Sequence, residues 1–410
     1  MSVPRLRMRS LAGIGALALL SLGAGQAAAA AAPAAAHPAA AHPASATGAV
    51  SYTVRDLGTL GGSSSAAVAA DARTVVGDSA TTGNAAVHAF AYSLSTGALT
   101  DLGSLGGDSQ AVAVAGATVI GNSALPDGGP EHGFAYNLRS HRMADLGTLG
   151  GSSSSVAAIA GDLVVGTSAE AGDQLQHAFV HDLRSHRTTD LGSLDGPSGS
   201  SAAIAISWPF VVGNSSVPGE PANDSHAFAF NLVTHRMTDL GTLGGLSSAA
   251  TGISGHTVVG TSLTGVGGHT VDGFAYDLRT DLRTDLGAKF RVHPLVSGNT
   301  VVGSDGMLGF SFDLHALATA TVGPGIGVTQ LNAIHGPLVI GDYFAANSFG
   351  FVYRTDTGVS VALPALGGLN SSASDAGPAG LVVGSAATTP PDSHTADGPY
   401  HAALWTPQTG

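Results

Sequence analysis

Short apolar runs of Val, Ile, Phe and Tyr, each bounded by Gly, Ser, Thr or Asn, recur from about residue 51 to the end of the chain. No stretch there holds a 3.6-residue apolar period long enough for a helix, so the pattern predicts strands. In the first unit Ala66 to Ala70 reads as an inner strand, Thr74 to Ser79 as the second and Ala89 to Leu94 as the third. Ser95-Thr96-Gly97 is then a turn, and Ala98 to Leu102 the fourth strand. Four short antiparallel strands in about 44 residues is the content of one blade of a β-propeller.

The unit repeats. Asp-Leu-Gly-Thr/Ser-Leu-Gly-Gly, Val-Val-Gly-x-Ser and His-Ala/Gly-Phe-x-Tyr recur in fixed order, and the glycine of the middle motif falls at Gly77, Gly121, Gly166, Gly213, Gly260, Gly303, Gly341 and Gly384. A period of this length indicates a propeller or a repeat array. The ends distinguish the two. The last unit, Ala403-Leu404-Trp405-Thr406-Pro407-Gln408-Thr409-Gly410, stops where Phe90 to Gly97 reaches its hairpin turn, so it lacks a fourth strand; Tyr52 to Gly58 is a fourth strand with no blade before it. An open solenoid would carry polar caps at its ends instead of complementary halves. The fold expected is therefore all-β: a propeller of eight blades, each of four antiparallel strands, closed by the N-terminal strand pairing with the last blade. Phe90, Phe134, Phe179, Phe228, Phe274, Phe310 and Phe351 share one repeat position and should fill the layers between blades, with Leu404 or Trp405 compensating for Ala403 in the eighth.

Residues 1–32 have the layout of a secretory signal: Arg5, Arg7 and Arg9, then the apolar run Leu11 to Leu22, then an Ala-rich stretch. Residues 33–50 form an Ala/Pro-rich linker, leaving 51–410 for the repeats. The expectation is a secreted, extracellular protein with no membrane span after signal cleavage. The absence of cysteine excludes disulfides and thiolate metal sites, so the fold must stand on packing and hydrogen bonds. Without the three signal arginines, 12 basic residues face 28 acidic ones, a net charge of −16. That balance argues against a nucleic-acid partner, which needs a basic face.

The recurring motifs resemble those of the HAF repeat family of predicted extracellular bacterial proteins, named for the His-Ala-Phe seen here at His88-Ala89-Phe90, His177-Ala178-Phe179 and His226-Ala227-Phe228. The resemblance spans the repeats and implies secretion and repetition without an agreed activity. Asp272-Gly-Phe, Leu308-Gly-Phe and Phe349-Gly-Phe depart from the pattern in the later units.

Four His and Asp pairs lie thirteen residues apart across the outer hairpin: His88/Asp101, His132/Asp145, His177/Asp190 and His226/Asp239. A general base held by a carboxylate is one reading, but it requires a nucleophile or bound water in a cleft. Repetition around a ring favours a structural hydrogen bond that ties each blade. The fifth unit places Asp272 thirteen residues before Asp285, where two carboxylates either raise one pKa or attract a hard cation such as calcium; no other cofactor is expected. Basic residues recur at hairpin tips of three consecutive units: Arg139, His141 and Arg142; Arg184, His186 and Arg187; His235 and Arg236. On a ring they form a basic arc suited to an anionic wall polymer, or else solvated turns.

There is no Gly-x-Ser-x-Gly elbow, His-Glu-x-x-His zinc motif or phosphate loop. The leading functional reading is a secreted, non-enzymatic binding scaffold, expected as a monomer, for an extracellular glycan or protein. An extracellular polysaccharide hydrolase or lyase, with its site near the divergent fifth to eighth units, is the second. A structural or adhesive surface protein is the third.

Overall fold

The computed structural model describes residues 50–219, 224–265, 270–325, 327–345, 347–390 and 397–408. The segments read as a secretory signal and as a linker lie outside these residues, apart from Val50.

Strand β1 (Ser51–Asp56) precedes a complete blade made of β2 (Gly61–Ala70), β3 (Thr74–Thr81), β4 (Val87–Ser93) and β5 (Leu99–Asp101). They pair antiparallel in chain order from β2 to β5. The arrangement recurs to give eight four-stranded sheets, an all-β eight-bladed propeller. In the eighth sheet the outermost place is taken by β1, paired antiparallel with the last strand, Tyr400–Gln408; Ser51 lies opposite Gln408 and Asp56 opposite Ala403. The complementary ends of the sequence thus close the ring, and closure removes the two edges an open array would leave.

Eight apolar clusters hold the ring, and each straddles two neighbouring blades. Val76, Ala89, Ala91 and Leu102 of the first blade meet Val119, Phe134 and Tyr136 of the second. Val383, Ala402 and Leu404 of the eighth, with Leu57, meet Ala67, Val75, Phe90 and Tyr92 of the first. One face of each blade is small and the other aromatic, so successive blades interlock at interior packing density. Phe90, Phe134, Phe179, Phe228, Phe274, Phe310 and Phe351 are all buried in these layers. In the eighth blade, fully buried Trp405 joins Ala403 in the layer against the seventh, its indole N–H donating to Pro364 O at 2.8 Å, while Leu404 faces the first blade.

The repeated glycine of the second strand has a steric cause. Ala67 pairs with Gly77 but Ala69 pairs with Val76, so β2 carries a bulge there. A β-carbon at Gly77 would overlap the Ala66 carbonyl oxygen and stand 2.8 Å from Phe90 Cζ. Val-Val-Gly and the aromatic of the third strand are therefore one packing unit.

The inner strand begins at Gly61, five residues before the Ala66 at which the sequence pattern places it, so the Leu-Gly-Gly-x-Ser-Ser segment is part of the sheet. Gly61 has φ +97°, yet the chain rejoins the sheet at once and pairs with Thr81. Hydroxyls make this possible: Thr59 Oγ1 donates to Gly62 O at 2.9 Å, and Leu60 N donates to Ser79 Oγ at 2.8 Å.

Short polar side chains also fasten each blade to the next. Buried Ser109 of the second blade accepts Ala89 N of the first at 2.9 Å and donates to Gly103 O at 2.6 Å. Ser65, Ser154, Ser201, Ser248 and Ser371 repeat this bridge at other joints. A second fastener is the variable residue after Val-Val-Gly. Asp78 Oδ1 accepts Ala111 N at 2.7 Å, Asn122 Oδ1 accepts Val156 N at 2.8 Å, Asn214 Oδ1 accepts Ala250 N at 2.8 Å and Asp342 Oδ1 accepts Ala373 N at 2.9 Å. Each acceptor reaches the next blade at its bulge, where the ladder leaves an N–H unpaired.

Asp78 keeps some contact with solvent, but burial pushes its carboxyl up to about 7, against the lowering effect of the Ala111 N–H. A carboxyl raised on folding contributes stability that is complete below its unfolded value and is lost as pH rises through its folded value. Asp78→Asn keeps the acceptor for Ala111, as Asn122 and Asn214 do naturally. Its melting temperature should exceed that of the wild type by a margin that grows from pH 5 to pH 8 by a few degrees, because about two pKa units correspond to roughly 2–3 kcal/mol and a chain of this size shifts by about 1–2 °C per kcal/mol. Thermal melts across that range test this; a constant margin would mean that Asp78 stays ionised throughout.

Candidate functional site

In the first blade Phe90 of β4 lies opposite Asp101 of β5, and His88, two residues earlier, projects from the same strand face. His88 Nδ1 lies 3.0 Å from the Asp101 carboxylate, His132 2.9 Å from Asp145, His177 3.0 Å from Asp190 and His226 2.9 Å from Asp239. The carboxylate can only accept, so Nδ1 carries the proton in each. Each Asp Oδ1 also accepts the N–H of the glycine two residues on, from 2.6 Å at Gly241 to 2.8 Å at Gly147. The pairs therefore pin the outer strand and the turn that leaves it. In two of them the second ring nitrogen is engaged as well, His132 Nε2 with Ser152 O at 3.2 Å and His177 Nε2 with Gly199 O at 3.0 Å. Neither ring has a nitrogen left for a substrate proton.

A fifth pair escaped the sequence reading: His401 Nδ1 lies 2.8 Å from Asp56 Oδ2, across the closure of the ring. Its signal was present, because Tyr400-His401-Ala402 repeats Val87-His88-Ala89 and Asp56-Leu57-Gly58 repeats Asp101-Leu102-Gly103. The sequence separation of 345 between the partners hid it.

His177 differs from the others. Glu170 Oε1 approaches its Nδ1 to 2.9 Å beside Asp190, and the ring is almost fully buried. Burial opposes charge on the imidazole, but the Asp190 hydrogen bond and charge, the Gly199 carbonyl and the Glu170 charge outweigh it and raise its pKa. Both nitrogens face acceptors, which an imidazolium alone satisfies. Among the described residues Glu170, His177 and Asp190 are also the one group of three whose ligand atoms lie within 4.8 Å of one another. A cation there would have to replace the Nδ1 proton.

Asp272 occupies the histidine position of the fifth blade, opposite Ser262, and Asp285 lies opposite Phe274. Burial, then the Asp285 charge, raises the Asp272 carboxyl. Asp285 Oδ1 accepts Gly287 N at 2.8 Å, as the paired aspartates do elsewhere. Among the described residues no third carboxylate or histidine joins the two, whereas calcium takes six to eight oxygens.

The basic candidates are all exposed on hairpin tips. His141, His186 and His235 take the left-handed position of the turn, with φ near +53°, where the first and seventh blades carry Gly97 and Gly358. Asn137 Oδ1 accepts from Arg139 N and Ser140 N, and Asn231 Oδ1 from Val233 N and Thr234 N, so these tips are rigid. Arg184 is tied to Asp162 by a 2.7 Å ion pair. Arg139, Arg142, Arg187 and Arg236 make no ion pair among the described residues. The structure brings Arg187 and His235 together on a groove of about 330 Å³ between the third and fourth blades, beside Trp208. Arg139, His141 and Arg142 stand on the second blade, and Arg236 follows His235 on the fourth.

Neither a protein-family model nor a curated protein sequence matches this chain. Solved structures do match it. A prolyl endopeptidase is 10% identical with a TM-score of 0.56, the match covering 73% of this chain and 50% of that one. Dipeptidyl peptidase 4 of Porphyromonas gingivalis is 9% identical with a TM-score of 0.52, over 82% and 57%. The β-propeller domain of the Trilobed protease of Pyrococcus furiosus is 9% identical with a TM-score of 0.45, over 70% and 93%. The chain spans about half the length of the two peptidases, and the likeness is one of fold.

His177→Gln removes a buried donor pair and should cost about 1–3 kcal/mol at pH 6. A histidine raised on folding stabilises fully below its unfolded pKa, and the gain is lost as pH rises through the folded value. The deficit of the variant should therefore shrink by pH 9. Denaturant unfolding at the two pH values reads this, and an equal deficit at both would show that the ring is not charged.

Proposed function

We propose that the protein is a secreted, non-enzymatic binding scaffold whose rim at the second to fourth blades engages an anionic extracellular glycan. The observation that carries this reading is the repetition of exposed Arg142, Arg187 and Arg236 at one turn position of three adjacent blades. The chain as a whole has a formal charge of −13, so a local basic rim stands out against a repelling background. The signal-like N-terminal segment and the HAF-repeat resemblance support export. The bonded state of the His and Asp pairs supports a structural role for the residues that looked most catalytic.

A second reading rests on Asp272. Two carboxylates at one position, with one raised by burial and by the other, are a pattern used for acid and base roles in glycan cleavage. On that reading the protein is a polysaccharide hydrolase or lyase.

The two readings predict different results. Retention on bead-immobilised polyglucuronate should fall at least tenfold on replacing Arg142, Arg187 and Arg236 together by Ser, and should weaken steeply between 50 and 300 mM salt as exposed charges are screened. Retention unaffected by both changes would remove the rim reading. Turnover of acidic or neutral polysaccharides should be absent; turnover abolished by Asp272→Asn would establish the enzyme instead.

A further inference from the structure

The seam between the third and fourth blades departs from the repeat at two positions. In four blades the residue two places after the buried Phe is tyrosine: Tyr92, Tyr136, Tyr276 and Tyr353. Its hydroxyl reaches the hairpin tip, Tyr136 to His141 Nδ1 at 3.5 Å and Tyr276 to Asp281 Oδ1 at 3.2 Å. The fourth blade carries Phe230 there, so no side-chain hydroxyl reaches the tip from that position. The turn between the first two strands, built on glycine in five blades (Gly116, Gly161, Gly255, Gly298 and Gly336), is Trp208-Pro209 in the fourth.

The result is the groove of about 330 Å³. Its floor is apolar, with Phe230 and Leu191 buried, and Trp208 stands on the rim, 63% exposed. Leu232 N donates to Pro209 O at 2.9 Å, which fixes the tryptophan turn against the outer hairpin that presents His235. The opposite wall comes from the third blade and includes Asp182 and Arg187. The Arg184 N–H, with Ser185, holds the Asp182 carboxyl below its ordinary value, so it is an acceptor beside the Arg187 donors. An exposed indole, an apolar floor and a few converging polar groups are the elements from which small-ligand sites are built.

We propose that this groove is a carbohydrate subsite for an acidic sugar. The ring of the sugar packs on the Trp208 indole, its carboxylate meets Arg187 and His235, and its hydroxyls donate to Asp182. The mixed polarity selects this class. A phosphodiester backbone offers mainly acceptors and would confront Asp182 without a donor, and an apolar peptide would leave Arg187 unpaired. A sugar acid supplies both kinds of group with a flat apolar face. The proposal rests on the scaffold reading and gives it a place and a ligand class.

Trp208 and Trp405 are the two tryptophans of the chain, and Trp405 is fully buried, so intrinsic fluorescence reports on the groove. The purified full chain is titrated with β-1,4-linked tetraglucuronate and with cellotetraose, its uncharged counterpart, by fluorescence and by calorimetry. Tetraglucuronate should shift the emission and bind at least tenfold more tightly than cellotetraose. Trp208→Ala should remove the spectral change and weaken binding at least tenfold. Arg187→Gln should weaken tetraglucuronate at least tenfold and cellotetraose less than twofold. Arg73→Gln, an exposed arginine between β2 and β3 of the first blade and outside the groove lining, should leave both unchanged. Trp208 is mostly exposed, so melting temperatures of the variants should match that of the wild type. Tetraglucuronate binding that survives both groove substitutions overturns the groove while leaving the rim reading intact if polymer retention still needs the three arginines. Equal affinity for the two tetrasaccharides overturns the acidic class. Failure of both tetrasaccharide and polymer to bind overturns the scaffold reading and the groove with it.

Discussion

The pairing of β1 with the last strand is the constraint on which the rest of the structure depends. No blade has a core of its own: every apolar cluster is shared between neighbours, so a blade is stable only while flanked on both faces. In an open array the first and last blades would each leave one face to water. Closure makes the layer that joins Val383, Ala402 and Leu404 to Ala67, Val75 and Phe90 equivalent to the other seven. It also converts two sheet edges into one more antiparallel ladder. A chain with no cysteine thereby obtains a long-range crosslink made of backbone hydrogen bonds.

The joints between blades combine this apolar packing with a small polar vocabulary. A buried serine hydroxyl donates and accepts across the joint, and an Asp or Asn of one blade satisfies an N–H at the bulge of the next. Such bonds cost little side-chain entropy, because Ser, Asp and Asn are short. Where the repeat drifts, the joint changes chemistry. Between the fifth and sixth blades fully buried Phe290 packs against Gly273 and Gly303 in place of the serine bridge. In the third blade Thr167 takes the place of Asp or Asn, and its hydroxyl is buried without a partner.

Repetition separates architecture from chemistry in this protein. The His and Asp pairs recur in five blades with the same partners, and the same carboxylates hold the turns that follow. Features that break the repeat are distinct. Glu170 converts one pair into a buried charged cluster, Asp272 converts another position into two carboxylates, and Phe230 with Trp208 opens a groove beside Arg187 and His235. The basic residues of three hairpin tips are alike in sequence, yet one seam alone combines them with an exposed indole.

The sequence by itself determined the number of blades, the order of strands within each and the closure of the ring. These follow from apolar periodicity, repeat spacing and complementary ends, all of which act along the chain and need no distant partner to be read. It also placed Phe90 and its equivalents in the core, because an aromatic recurring at one strand position must face a neighbour. The inner strand from Gly61 was only partly legible, since Thr59 and Ser79 rather than alternation bring that segment into the sheet. Tertiary structure alone decided which residues meet across a seam: Asp56 with His401, Glu170 with His177, Trp208 with Arg187 and His235. The physical reason is that each joint is set by how one sheet stacks and twists on the next, so a single exchange such as glycine for Trp208 acquires its meaning from the neighbouring blade.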